Sequence, residues 1–388
     1  MITYNFKLYR NKHNKQLTQL LREACFVWNH CLNLQRRYYR IFGKYATAND
    51  VKTHFPRWYK MEHLDSQTVQ EVIERIDLAY KRFFKHLAKR PPKFKRHEDM
   101  TSIVFKQSGY RLEDNRFTVN KLKRTFRFSL SQPYEGKVKR VSVKRTPLGE
   151  FFICVVTDAE PRHYGKSHNG ASVGIDFGLK TYLTMSDDSR VENPQFLRHH
   201  LNKIQKASRR FSKAQKGSNH RSQRKDELNR AYEKVTNART DFQWKLAHEI
   251  CRTYDFVFIE DLNLDGMRRY RHWGRKMSDL GHGNFVSILQ QVAAKYGCTV
   301  HKIGRWYPSS KMCECGYKND NLRLTDRTWV CPVCGQIHDR DVNAARNILR
   351  QGIVELESNN KTSHLAAACG CVNNNLRIPR IYSWEYVK

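Results

Sequence analysis

The sequence predicts a mixed fold: a β-rich amino-terminal half interrupted by helices, then an α/β half that carries a cysteine cluster. Three observations predict it. Short runs of β-branched and aromatic residues recur between residues 102 and 157, separated by turn-forming pieces. Between them and an opening strand, residues 15–87 switch to helical spacing. Beyond residue 170, two strand-length apolar runs end in carboxylates, Asp176 and Glu260, and alternate with long helical stretches.

Taken in order, residues 3–9 read as the opening strand. The clearest helical stretch places Val69, Val72, Ile73, Ile76, Ala79, Tyr80 and Phe83 three and four apart, with Asp65 or Ser66 as its N-cap. Pro91-Pro92 blocks continuation of a helix, so the helical segment is expected to end there. Strands are expected over 102–106, 116–120, 125–129, 138–144 and 151–157, and the opening strand is expected to pair with this set, leaving the helices as an insertion. After a polar linker, strands are expected at 171–176, 181–185, 255–260 and 299–303. A long helical stretch is expected over 196–252, a helix over 284–296 and another over 343–351. The remainder, 353–388, lacks periodic pattern and reads as a loosely ordered tail.

Charge narrows the function. Seventy-one Lys and Arg stand against 37 Asp and Glu, a net charge of +34, which points to a polyanionic partner, nucleic acid before membrane. The basic residues are spread along the chain and no apolar run reaches about 18 residues, so no membrane association is expected. The amino terminus has no apolar signal region, and a cytoplasmic location is expected. Between Tyr80 and Arg96 eight basic residues and no acid interleave with Phe83, Phe84 and Phe94. That pattern fits a groove holding a phosphate backbone, with Lys81, Lys85, Lys93, Lys95 and Arg96 as contacts; a solvated helix end is the plain alternative. A second basic run, Arg198–Lys225, contains Arg209 and Arg210, and a third lies around Arg268 and Arg269, where an exposed linker is nearly as good a reading.

Against this charge three acidic segments stand out: Asp176 in VGIDFG, Glu260 in FIED, and HDRDVNAARN with Asp339 and Asp341. A single Asp at a strand end is ordinarily a turn residue or cap. Carboxylates ending apolar strands, however, are costly to bury unpaired and reasonable as oxygen ligands for hard cations. Three converging acids in a basic chain point to two Mg²⁺ ions acting on a phosphodiester. Asp261 and Asp339 are the neighbouring alternatives, each placed to cap the segment after it, and the residues alone leave Asp339 and Asp341 both open.

Cys313-Glu-Cys315, fifteen residues, then Cys331-Pro-Val-Cys334-Gly has the arrangement of a structural Zn²⁺ ribbon. The first pair is one residue shorter than the usual knuckle, so its turn must differ, or His338 could replace a ligand. Cys25, Cys31, Cys154, Cys251 and Cys298 read as small buried hydrophobes. Cys369 and Cys371 have no assigned role.

The order GIDFGLK, a long basic helical hairpin, FIEDLNLDGM, MSDLGHGNF, YPSS before the cysteines, then HDRDVNAARNIL resembles the TnpB proteins of IS200/IS605-type insertion sequences, relatives of the compact type V (Cas12) CRISPR nucleases. The resemblance implies a wedge-like β-barrel (1–12 and 97–160) interrupted by a helical recognition segment (13–96). An RNase H-like RuvC domain (171–308 and 336–352) with an inserted zinc ribbon (309–335) would come next. It implies a Mg²⁺-dependent, RNA-guided endonuclease that cuts double-stranded DNA beside a short flanking motif, in a prokaryotic cell, as a monomer on one guide RNA encoded by the element. It places the metal ligands on Asp176, Glu260 and Asp341, choosing Asp341 over Asp339, and matches Ser66 and Gln70 to flank-reading positions. Two rival classes are an RNA-guided repressor that binds without cutting and a transposition-associated protein that joins DNA strands.

Overall fold

The computed structural model describes residues 1–160, 163–165, 168–263, 266, 274–323 and 325–366 of the 388. The chain divides into two compact units, Met1–Pro161 and Arg162–Lys388.

In the first unit, strand β1 (Ile2–Lys7) runs antiparallel to β7 (Phe151–Thr157), which pairs with β6 (Val138–Arg145), which pairs with β2 (Ser102–Phe105). A second sheet, β3 (Tyr110–Glu113), β4 (Arg116–Val119) and β5 (Arg124–Arg127), joins the first where Leu8 bridges Phe128. Alternation along these strands turns Phe6, Phe105, Phe117 and Phe126 into one apolar core. Strand β3 was not expected; its YRLE carries a single aliphatic residue and is recognisable only by its pairing with β4.

Three helices lie between β1 and β2: α1 (Asn14–Phe42), α2 (Ala48–Trp58) and α3 (Ser66–Phe84). Helix α1 buries Leu17, Leu21, Ala24, Trp28 and Cys31 as a stripe at three- and four-residue spacing. It ends at Gly43, whose φ of +63° suits a residue without Cβ. Thr47 and Asp50 form a reciprocal capping box on α2, and the Asp65 carboxylate accepts from the Thr68 N–H at 2.8 Å to cap α3. Helix α3 stops at Phe84, well before Pro91-Pro92. The chain turns at His86 (φ +56°), and the N–H groups of Leu87 and Ala88 fold back onto the Arg82 carbonyl. A local turn, rather than proline, therefore ends the helix.

The second unit is built on a five-stranded mixed sheet ordered β10-β9-β8-β11-β12: β8 (Ser172–Phe177), β9 (Thr181–Met185), β10 (Arg190–Glu192), β11 (Phe256–Glu260) and β12 (Thr299–Ile303). Strands β8, β11 and β12 are parallel. Helices α4 (Phe196–Lys213) and α5 (Asn219–Thr253) form the basic hairpin, and α6 (Gly274–Leu280), α7 (His282–Tyr296) and α8 (Arg340–Ala366) come after it. Val257 and Ile259 of β11 pack with α5 and α7, whereas Phe256 and Phe258 pack with Ile348 of α8. Burial on both faces explains why FVFI reads as a continuous apolar run. Two short strands, β13 (Thr328–Val330) and β14 (Ile337–Asp339), form a hairpin beside the cysteines. Helix α8 is much longer than the expected 343–351. It extends through Ala366 into the segment read as a loosely ordered tail; Cys369 and Cys371 lie outside the described residues. No described helix is long and apolar enough to cross a membrane.

Candidate active site and cysteine cluster

Parallel pairing brings the first two acids together. The register of β8 and β11 runs to Ile175 opposite Ile259, and Asp176 and Glu260 are the next residue of each strand. Carboxyl ends of adjacent parallel strands are where open α/β sheets form their ligand crevices. Asp341 arrives from the first turn of α8, which packs across β8 because Gly174 leaves room beneath it: a Cβ there would meet the Ala345 carbonyl oxygen at 2.1 Å. The three acids line one cavity of about 280 Å³ with Lys180, Ser309, Arg327 and Arg340.

Burial pushes the Asp176 carboxyl up to about 8, and the negative charges of Glu260 and Asp341 push in the same direction. Burial also raises Glu260, opposed by the Ser309 hydroxyl, which donates to its Oε1. Asp341 accepts from the Arg327 guanidinium at 3.1 Å. Asp339 instead caps α8, its Oδ1 accepting from the N–H groups of Asp341 and Val342 at 3.1 Å each, and its other oxygen pairs with Arg190 at 2.8 Å. The capping expectation for Asp339 is met. Arg305 pairs with the Asp261 carboxylate, and the segment Asp261 was expected to cap lies largely outside the described residues.

Among the described residues, the groups whose ligand atoms all lie within 4.8 Å of one another are Cys313, Cys315, Cys331 and Cys334, and Glu23, Glu62 and His63. The negative charges that raise Asp176 belong to a donor set that a hard cation would relieve.

The cysteines form a tighter set. Cys313 and Cys334 sulfurs lie 3.5 Å apart, and those of Cys315 and Cys331 3.6 Å apart. A tetrahedron with Zn–S bonds of about 2.3 Å has edges of roughly 3.8 Å. The short knuckle is accommodated by Gly316 at φ +88°, with the Cys313 N–H donating to the Tyr317 carbonyl at 2.8 Å. His338 is not needed as a ligand: it stacks on Trp329 and sets Nε2 3.1 Å from the Cys313 sulfur. Burial raises the Cys331 thiol, yet the N–H groups of Cys334 and Val333 and its fellow thiols bring it down to about 7, whereas burial pushes its neighbour Cys313 up to about 12.

The basic residues fare unevenly. Lys85, Lys93, Arg209 and Arg210 are exposed, and Lys81 pairs with Asp77 at 2.8 Å. The 92–96 strap lies along α1: the Trp28 indole N–H donates to the Lys93 carbonyl at 3.0 Å, and Asn29 bonds both the N–H and the carbonyl of Lys95 at 2.8 Å. The Lys95 ammonium sits 3.8 Å above the Trp28 ring, and Arg96 pairs with Asp99. Both therefore have partners within the chain in addition to any phosphate they contact. Ser66 is exposed at the start of α3 and Gln70 half-buried one turn on. Arg268 and Arg269 lie outside the described residues. Sequence reading missed Ser309, Arg327 and Arg340 in the cavity. Ser309 had a signal within YPSS and Arg340 within HDRDVNAARN, whereas Arg327 had none.

Comparison with known proteins places this arrangement. The fold is similar to two compact RNA-guided nucleases of known structure. One is Cas12f1 solved with its guide RNA and target DNA (16% identity, TM-score 0.57, 87% of this chain and 83% of that one), and the other Cas_phi3 (9% identity, TM-score 0.51, 91% and 92%). Residues 152–271 match the OrfB_IS605 model, described as a probable transposase, and residues 282–348 match the Cas12f1-like TNB domain. A Streptomyces pristinaespiralis protein named as a candidate RNA-guided DNA endonuclease is 31% identical over 322 residues, 81% of this chain and 77% of its own. InsQ of Escherichia coli K12, named likewise, is 27% identical over 375 residues, 89% and 88%. TnpB-like protein L79 of Acanthamoeba polyphaga mimivirus is 27% identical over 237 residues, 58% and 45%. The chain belongs to the TnpB family.

Proposed function

We propose that this protein is an RNA-guided endonuclease that cuts double-stranded DNA beside a short flanking motif, by Mg²⁺-dependent hydrolysis at a RuvC-type centre. The observation that carries the reading is the convergence of Asp176, Glu260 and Asp341 on one cavity in a chain of net charge +34. Family membership supports it, and the names of the relatives agree. The three acids would hold two Mg²⁺ ions, which when bound supply an activated water and stabilisation of the leaving 3′ oxygen. The chain's own residues do the rest. Burial and the neighbouring acids favour the protonated form of Asp176, and a cation would displace that proton on binding. Arg327, Arg340 and Lys180 line the same cavity and provide positive charge for a phosphodiester drawn into it. Ser309 holds Glu260.

Guide RNA and target would form a heteroduplex read by base pairing, with exposed lysines and arginines neutralising its backbone. Cys313, Cys315, Cys331 and Cys334 would hold one structural Zn²⁺; four sulfur ligands leave no open position for catalysis. The amino-terminal unit, with Ser66 and Gln70, would read the flanking motif, and one chain would serve one RNA.

The test is to sequence the RNA that co-purifies with the full chain and to supply a matching plasmid with Mg²⁺. Cutting is expected, and Asp176→Ala is expected to abolish it while target binding persists. Target binding without cutting by the wild type would favour the repressor reading. Joining of DNA ends without RNA would overturn both.

A further inference from the structure

We propose that Ser309 is a positioning residue for Glu260, set in place by Asn347 of α8, so that one relay fixes Glu260 relative to Asp341. This rests on reading Asp176, Glu260 and Asp341 as metal ligands.

Ser309 is buried, with 7% of its surface exposed, and its hydroxyl donates to Glu260 Oε1. Its carbonyl accepts from the Asn347 side-chain N–H at 2.8 Å. The same amide donates to the Met312 carbonyl at 2.7 Å, and Asn343 donates to that carbonyl as well, at 2.8 Å. Asn343 and Asn347 are 4% and 1% exposed and stand one turn apart on the helix that presents Asp341. Burying amides is costly unless they are bonded, and these two spend their donors on a single loop, 309–312. Loop anchoring alone would account for the asparagines. It would not account for the hydroxyl aimed at a carboxylate on β11.

The donor type also matters. A neutral hydroxyl orients Glu260 without bringing a counter-charge to it, whereas Asp341 accepts from the Arg327 guanidinium. Partners in this position around metal ligands are worth roughly 10–100-fold in metal affinity or activity.

Mn²⁺ binding to the full chain, followed by electron paramagnetic resonance in the absence of DNA, tests the relay directly. Ser309→Ala is expected to weaken Mn²⁺ binding by roughly 10–100-fold and to raise the Mg²⁺ needed for half-maximal cutting. Its melting temperature and RNA content should stay unchanged, and Ser309→Thr, which keeps the hydroxyl, should restore both readouts. Wild-type affinity in Ser309→Ala would overturn the relay while leaving the metal site intact. Wild-type protein that holds no Mn²⁺, with Glu260→Gln indistinguishable from it, would overturn the metal-ligand reading and the relay with it.

Discussion

Gly174 lies directly beneath Ala345: a Cβ on the strand residue would stand 2.1 Å from the helix residue's carbonyl oxygen. Further along α8 the relationship is reversed, and a Cβ on Gly352 would stand 2.1 Å from the Phe258 ring on β11. Two missing side chains, one on the sheet and one on the helix, thus let α8 land close enough to deliver Asp341 beside Asp176. Gly174→Ala is expected to cost about 1–3 kcal/mol through overpacking. It should also reduce cutting more than its melting temperature implies, because the helix that moves carries Asp341, a proposed metal ligand. Thermal melts alongside plasmid cleavage would check this.

Replacing Asp176 should separate stability from activity. Its carboxyl is raised to about 8 in the folded chain against about 3.9 unfolded, so without a cation the fold disfavours the charged form. Stability from this group is full below about pH 4 and is lost as pH rises towards 8. Asp176→Asn removes that loss. In the absence of divalent cations it should melt higher than wild type at pH 8, by roughly 2–4 °C for each kcal/mol recovered, and equally near pH 4, while cutting nothing.

For the wild type the same proton competes with the metal. Between pH 6 and 8 the Mg²⁺ concentration needed for half-maximal cutting should fall as pH rises, by up to about tenfold per unit for one released proton. Cleavage titrations at fixed ionic strength would show it, and a flat response would argue against Asp176 as a ligand.

His282 gives the opposite sign. Burial between Phe177 and Tyr182 pulls its imidazole down to about 4, against about 6.5 in an unfolded chain. Stability from keeping it neutral is full above pH 6.5 and is lost as pH falls through 4. The melting temperature should drop over that window, and His282→Leu should flatten the drop.

Zinc content provides a further check. The full chain should carry about one zinc ion per molecule. Cys331→Ser should lose it along with the fold of the 313–334 segment. Cutting should fall as well, because Met312, the residue before Cys313, is held by Asn343 and Asn347, and Asn347 also holds the Ser309 carbonyl. Atomic absorption and limited proteolysis would track the two losses.

Much of this was legible in the sequence wherever one periodicity acted alone. Strand β11 announced itself because both its faces are buried, and α3 because its apolar spacing begins after a capping Asp. Strands β3, β10, β13 and β14 were not legible: each is three or four residues long and is held by its partner rather than by any pattern of its own. The acids were visible as anomalies of charge, but Asp339 and Asp341 were separable only by geometry or resemblance, since both sit at the start of one helix. Arg327 could not be found in advance, because its place beside Asp341 depends on how the cysteine segment folds back across the chain.

The three acids are also spaced in time. A ribosome releases Asp176 and Glu260 well before the helix bearing Asp341, and the surface around Gly174 stays uncovered until α8 arrives. On the proposed reading, a nascent or prematurely terminated chain already carries most of the positive charge that grips nucleic acid, yet cannot cut. On that reading, the order of synthesis completes the acid cluster only after most of the basic segments have emerged.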